Sequence, residues 1–311
     1  MKDLNKLTDE DFVRLGHQFW SEKASGNYNY SDIEYFLNYL KYVKENKLGK
    51  GKKVALLFVC LNEPYWEFAG NAIASAKKLF LPGHDVDYFL WSDMPKADFG
   101  ATLFETEPVE WPLPTLYRYH LFLQQEAKLA EYDYIFYVDA DMLFVNVVGD
   151  EILGEGLTAA QHPMYAIRKE YIPPYEPNTE SSAYISRPGR IVEEQGKPPL
   201  FEPLYFAGGF QGGKAKDFIS AMKTMKGSID KDFAKNYVAI WNDESHWNKY
   251  LFDKPPAVVL SPSYVYPDSL IEEYYLKIWG CNYPPKLVTL TKKFSTTAEG
   301  GEQLKETLKT L

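Results

Sequence analysis

Cysteine is scarce: the 311 residues contain two, Cys60 and Cys281. They cannot form the disulfide framework that staples small secreted domains, and Cys60 lies inside the apolar run Val54-Ala55-Leu56-Leu57-Phe58-Val59-Cys60-Leu61, so a reduced compartment is expected. Long hydrophobic runs are also missing. This run is the most apolar in the chain, yet a membrane span needs about 20 residues. The N-terminus, Met1-Lys2-Asp3-Leu4-Asn5-Lys6, is too polar for a signal peptide, so a cytoplasmic protein without a membrane anchor is expected. Positive charge is in deficit. The formal net charge of −9 excludes a general attraction to nucleic acid or to an anionic membrane surface, so a polyanionic ligand has to be held locally. Glycine and proline, 20 each, are too few for a collagen-like or disordered chain.

What is present is the pattern of a folded α/β protein. Residues 1–50 read as an N-terminal helical extension: Thr8-Asp9-Glu10-Asp11 can cap one helix, and Ser31-Asp32-Ile33-Glu34 opens another with Ile33, Phe36, Leu37 and Leu40 at helical spacing. Residues 51–290 read as one domain. A strand at 54–60, a helix over about 66–80, a strand at 86–91, a helix face within 115–131 and a buried strand at 134–138 alternate in order. This rhythm predicts a mainly parallel central sheet flanked by helices, with ligands at the carboxyl ends of its strands. Further helices are expected near 214–226 and over about 243–252, and the tail 291–311 reads as mobile.

Three segments could carry chemistry. Asp139-Ala140-Asp141 follows directly on the apolar strand 134–138, at the expected ligand-binding edge. Carboxylates are hard ligands for Mg²⁺ or Mn²⁺, ions usually shared between one or two carboxylates and the phosphates of a substrate. A solvated strand end has the same D-x-D, as does an aspartate-nucleophile phosphatase, although Leu143 stands where those enzymes carry Thr or Val. Gly208-Gly209-Phe210-Gln211-Gly212-Gly213-Lys214 fits G-x-x-x-x-G-K, but Ala215 replaces the Ser or Thr that a P-loop needs. Its glycines also suit a wall against which a sugar ring can lie, or a tight turn before the next helix. In Trp241-Asn242-Asp243-Glu244-Ser245-His246-Trp247-Asn248, Asn242 or Asp243 can cap a helix beginning with Glu244. Alternatively, a carboxylate flanked by the indoles of Trp241 and Trp247 meets a sugar ring and stabilises an oxocarbenium-like centre. Aromatic residues reach 16%, which suits either a tyrosine-rich core or a surface that stacks on rings.

In this order and at these separations the segments resemble glycosyltransferase family 6, the group of the blood-group A and B transferases and the α1,3-galactosyltransferase. The resemblance runs from about Val54 to about Phe294 and takes in Glu180-Ser181-Ser182-Ala183-Tyr184-Ile185 and Leu260-Ser261-Pro262-Ser263-Tyr264. It implies a GT-A type fold and a retaining transfer of N-acetylgalactosamine or galactose from UDP-GalNAc or UDP-Gal to the 3-hydroxyl of a galactose-containing oligosaccharide, a fucosylated one among the candidates. Residues 1–50 lack the family's animal membrane anchor, as a soluble bacterial or phage-type member would. By the resemblance, Asp139 and Asp141 hold a metal, Mn²⁺ in preference to Mg²⁺. Tyr65, Arg118, Asp139, Ala207, Gly208, Gly209 and Asp243 bind the donor, and His162 and Trp241 contact the acceptor. Glu244 is the nucleophile or electrostatic stabiliser at the anomeric carbon. Gly209 leaves room for an acetamido group, which favours N-acetylgalactosamine. Cys60 replaces an aromatic residue near uracil, and Pro267-Asp268 replaces Trp-Asp near the acceptor. Two rivals come from other classes: a phosphatase with Asp139 as nucleophile, and a non-catalytic glycan-binding module.

Overall fold

Strand β1 (Lys53–Cys60) is apolar on both faces and buried on both, as a central strand of a parallel sheet must be. The computed structural model describes residues 51–94, 99–109, 111–167, 171–186, 190–192, 200–202, 204–268 and 285–290. The expected helical extension over 1–50, the tail 291–311 and Cys281 lie outside these residues.

Helix α1 (Glu63–Leu79) follows β1, with Glu63 in its first turn and Lys77 and Lys78 in its last, each complementing the helix dipole. Ala69, Ala72, Ile73 and Ala76 form its buried stripe on one face of the sheet. β2 (Asp85–Ser92) and β3 (Thr102–Glu105) then pair parallel to β1 and to each other. The helix expected within 115–131 is broken into α2 (Leu113–Leu116), α3 (Arg118–Leu123) and α4 (Glu126–Leu129). The breaks bury Leu116, Tyr119, Phe122 and Leu129 together, which a single straight stripe would not require. β4 (Tyr134–Val138) pairs parallel to β1 on its other side.

After the D-x-D come β5 (Met142–Phe144), β6 (Leu157–Gln161) and the short helix α5 (Pro163–Ile167). A hairpin of β7 (Arg190–Val192) and β8 (Leu200–Glu202) leads to β9 (Phe206–Lys214), α6 (Ala215–Phe233) and α7 (Asn242–Asp253). β10 (Val258–Leu260), β11 (Tyr266–Pro267) and β12 (Leu287–Thr289) complete the described chain. The main sheet has the order β10-β6-β9-β4-β1-β2-β3, and β9 alone runs against its neighbours. The expected mainly parallel α/β sheet is therefore present. β11-β12-β5 form a second, small sheet that continues from the D-x-D.

The glycine cluster is neither a loop nor a turn: Gly208, Gly209, Gly212 and Gly213 all lie within strand β9. A Cβ on Gly212 would stand 2.5 Å from the carbonyl oxygen of Ile135 and 2.4 Å from the Phe136 ring, so only glycine lets β9 lie against β4 there. Two apolar layers sandwich the sheet. One lies under α1; the other is formed by α3, α6 and α7 through Phe122, Phe218, Met222, Met225 and Trp247. Among the described residues no helix is long and apolar enough to cross a membrane.

Candidate active site

Every strand of the main sheet except β9 delivers its carboxyl end to one edge, and β9 begins there. Val138 pairs with Phe210 and Gln161 with Phe206. The register sets Asp139 beside Gly209, whose carbonyl accepts the Asp139 N–H at 3.0 Å, and His162 beside Tyr205, whose carbonyl accepts the His162 N–H at 2.9 Å. Asn248 draws α7 to the same edge. Its Oδ1 accepts the Phe206 N–H at 2.8 Å, and its Nδ2 donates to the carbonyls of Phe206 and Glu244 at 2.8 and 2.9 Å.

The first turn of α7 is not built as a side-chain cap. Trp241 occupies the cap position without a side-chain capping hydrogen bond, and the helix starts at Asn242. Both acidic side chains are instead turned toward the sheet. Arg118, only 4% exposed on α3, places Nη1 3.2 Å from Asp139 Oδ1 and 3.2 Å from Asp243 Oδ2. Its guanidinium carbon lies 4.4 Å from the centroid of the Tyr137 ring, and the Tyr137 hydroxyl donates to Asp139 Oδ1. Gln211 Nε2 donates to the Gly208 carbonyl at 2.9 Å and reaches Asp243 Oδ2 at 3.4 Å, while its own Oε1 accepts the Tyr119 hydroxyl at 2.8 Å. Glu244 Oε2 accepts the Gly208 N–H at 2.8 Å.

Crowding sets the proton affinities. Burial pushes the Asp243 carboxyl up to about 7, with Arg118 pulling down and Asp139 adding to the rise. Glu244 is only half-buried as a residue, but its carboxyl is closely surrounded. Burial raises it to about 7, against the Gly208 amide and the nearby Tyr205 hydroxyl, with Asp243 and Asp139 pushing the same way as burial. The Tyr205 hydroxyl faces Glu244 without a hydrogen bond of normal geometry. Burial holds the Tyr137 and Tyr119 phenols protonated as donors.

The D-x-D fits a shared divalent ion. Among the described residues no cluster of three His, Cys, Asp or Glu side chains makes a closed protein cage. Asp139 Oδ1 is taken by Arg118 and Tyr137, whereas Oδ2 faces Gly209, where a Cβ would come within 2.9 Å of it. Any side chain at position 209 would crowd that oxygen and the Met142 sulfur. Asp141 is buried next in the chain, and its carbonyl accepts the Leu290 N–H at 2.9 Å. The Asp139 side chain is partly exposed, and a carboxylate there suits an ion shared with phosphates.

The other expected site residues divide. Tyr65 lies in the first turn of α1, where its N–H reaches the Asn62 carbonyl at 3.0 Å, after the carboxyl end of β1. Ala207 is buried in β9 within the apolar layer under α1. The His162 ring packs on Tyr165 and Tyr205, and burial lowers it to about 4, so it is neutral at pH 7. Trp241 is 47% exposed and available for stacking, but Trp247 is fully buried against Phe218. The paired-indole reading therefore fails, since Trp247 is taken up by the apolar layer between α6 and α7 and has no exposed face to offer a sugar. Sequence reasoning missed Tyr137, Gln211, Tyr205 and Asn248. Tyr137 did leave a signal, because strand alternation puts residues two apart on one face and Asp139 follows it by two. Asn248 sits one helical turn beyond Glu244.

Comparison with known proteins follows from this geometry. The model of "Glycosyltransferase family 6" matches residues 116–285. The chain is 30% identical over 226 residues to globoside alpha-1,3-N-acetylgalactosaminyltransferase 1 of Homo sapiens, covering 69% of this chain and 61% of that protein. It is 32% identical over 219 residues to histo-blood group ABO system transferase 1 of Rattus norvegicus, covering 67% and 59%. It is 27% identical over 230 residues to the O-antigen biosynthesis glycosyltransferase WbnI of Escherichia coli, covering 72% and 92%. The matches thus span about three fifths of the length of the human and rat relatives.

Proposed function

The chain belongs to glycosyltransferase family 6, and from that premise we propose that it moves N-acetylgalactosamine, or alternatively galactose, from a UDP-sugar to the 3-hydroxyl of an acceptor galactoside with retention at the anomeric carbon. The observation that carries the reading is the single Arg118 nitrogen at 3.2 Å from both Asp139 and Asp243. It joins the D-x-D, where a sugar diphosphate would sit, to the helix turn that bears Glu244. The name of the human relative, an alpha-1,3-N-acetylgalactosaminyltransferase, supports the donor sugar and the linkage.

A divalent ion bound by Asp139 and Asp141, Mn²⁺ in preference to Mg²⁺, would supply the charge that neutralises the departing diphosphate. The protein's own groups do the rest. Glu244, held by the Gly208 amide, sets a carboxylate against the positive charge that develops at the anomeric carbon, as covalent nucleophile or as ion-pair stabiliser. Either role needs the ionised form. Asp243 accepts a hydroxyl of the donor sugar while Arg118 fixes its other contacts. Tyr65 lies against the uridine, and Ala207, Gly208 and Gly209 line the donor-sugar wall, where glycine at 209 in place of a larger residue favours the acetamido group. Trp241 offers its exposed indole, and His162 its neutral ring, to the acceptor.

The test is UDP release from UDP-GalNAc and UDP-Gal in parallel, with lactose and 2′-fucosyllactose as acceptors, in Mn²⁺ or EDTA. Release stimulated by acceptor and by Mn²⁺, faster from UDP-GalNAc, is expected. Release that survives EDTA would remove the metal role of Asp139 and Asp141. Phosphomonoester turnover without acceptor would favour a phosphatase, and sugar binding without UDP release a glycan-binding module.

A further inference from the structure

We propose that Tyr137 is the positioning residue of the D-x-D centre: its hydroxyl and its ring together fix Asp139 so that Oδ2, not Oδ1, is the oxygen offered to metal and diphosphate. This inference rests on the transferase reading above and deepens it. Tyr137 is the penultimate residue of β4, 2% exposed, and its ring packs on Phe122 at 5.5 Å between centroids. From that fixed base its O–H donates to Asp139 Oδ1. The same ring carries the Arg118 guanidinium at 4.4 Å, a cation–π contact in a desolvated place. Arg118 Nη1 then lies 3.2 Å from that same oxygen.

Oδ1 therefore receives two donors, one neutral and one cationic, and its lone pairs are committed. Charge-assisted hydrogen bonds of this kind are the strong ones. The Asp139 side chain is 34% exposed, so without them the carboxylate could turn about its side-chain bonds and offer either oxygen. With them, Oδ2 is the oxygen left without these two donors, on the side toward Gly209, where any Cβ would stand 2.9 Å from it and crowd it. Partners behind a metal-binding carboxylate fix its orientation, and losing one costs about 10- to 100-fold in metal affinity. None of the roles assigned from the sequence used Tyr137. Its place in the apolar strand made it read as core, and its ring does belong to the core.

The experiment uses the full chain, with Mn²⁺ and UDP as probes. Mn²⁺ affinity in the presence of UDP is measured by calorimetry for the wild type and for Tyr137→Phe, which keeps the ring and loses one oxygen. UDP binding in EDTA and thermal melting are followed alongside. The expected result is Mn²⁺ affinity weaker by about 10- to 100-fold in Tyr137→Phe, with metal-free UDP binding and the melting midpoint unchanged. The Mn²⁺ concentration for half-maximal UDP release should rise correspondingly, with kcat recovered at saturating Mn²⁺. Tyr137→His, which retains a ring N–H donor, should recover part of the affinity and provides a second route if the Phe variant does not fold. Equal Mn²⁺ affinity in wild type and folded variants would overturn the proposal and leave the transferase reading intact. A lower melting midpoint with unchanged Mn²⁺ affinity would do the same, by showing a purely structural role. Failure of the wild type to bind Mn²⁺ with UDP would overturn the metal reading itself.

Discussion

Glu244 and Asp243 are adjacent carboxylates raised to about 7 by burial, and their proton balance links chemistry to stability in opposite senses. Their ordinary values are 4.5 and 3.8, so between about pH 4 and pH 7 the folded protein binds protons that the unfolded chain has released. The associated stability is fully present below the unfolded values and is lost as pH rises through about 7. Metal-free protein should therefore melt at a higher temperature at pH 5 than at pH 8, and Glu244→Gln should flatten that difference, as melting curves across the range will show. Turnover should move the other way. It needs the ionised carboxylate, so kcat/KM for UDP release should fall as the pH drops through the range in which the coupled pair takes up protons. Glu244→Gln should lower UDP release by about 10²- to 10³-fold at every pH while the protein remains folded. At this scale the sequence exposed the acidic residues, because a D-x-D after an apolar strand and an acidic first helical turn are local patterns. Tyr137 left only the two-residue spacing to Asp139 as a signal, and Gln211 was not legible as a site residue, since a glutamine among glycines has no functional meaning until a neighbour from elsewhere in the chain is known.

Strand β9 shows how an element can be misjudged from composition. Its glycines suggested a turn or a phosphate loop, yet the strand lies between β4 and β6 and pairs antiparallel with both. Glycine is needed there for close approach, and Gly212→Ala would drive a Cβ into the Ile135 carbonyl and the Phe136 ring. That overpacking should destabilise the protein by about 3 kcal/mol, read as a lower denaturation midpoint with an unchanged slope. Helix α7 is held to β9 by Asn248 on both the N–H and the carbonyl of Phe206. Asn248→Ala leaves those buried groups unpaired at a cost of about 1–3 kcal/mol each, and loosens the turn that carries Glu244. UDP release should therefore fall along with the melting midpoint. The elements β1, β2, β4 and α7 were legible to within a few residues because each has a strong local period. The broken helices α2, α3 and α4 were not, because their breaks answer to packing rather than to spacing.

For the molecule as a whole, two buried carboxylates outside the candidate site clamp the segment around 176–186 to α6 and to the connection between α6 and α7. Asp232 accepts the Ser181 hydroxyl at 2.6 Å and the Ser182 N–H at 2.7 Å, and Glu176 accepts the Tyr237 hydroxyl at 2.6 Å and the Ile240 N–H at 2.7 Å. Hydrogen bonds to a charged group contribute about 1.5–3 kcal/mol each. Asp232→Ala should thus lower stability by about 3 kcal/mol or more and open the segment to limited proteolysis, with new cleavage near Ser181 as the readout. The sequence by itself determined the α/β class, the strand that ends in Asp139, the acidic turn of α7 and the family, because periodicity, composition and motif spacing are properties of neighbouring residues. Only the tertiary structure decided that β9 is a strand running against the others, that Trp247 is buried while Trp241 is exposed, and that one Arg118 nitrogen joins Asp139 to Asp243. Those outcomes depend on strand register and on the packing of segments far apart in the chain. Burial then raises the carboxyls of Asp243 and Glu244, and Tyr137 and Arg118 commit one oxygen of Asp139, neither of which a linear pattern can express.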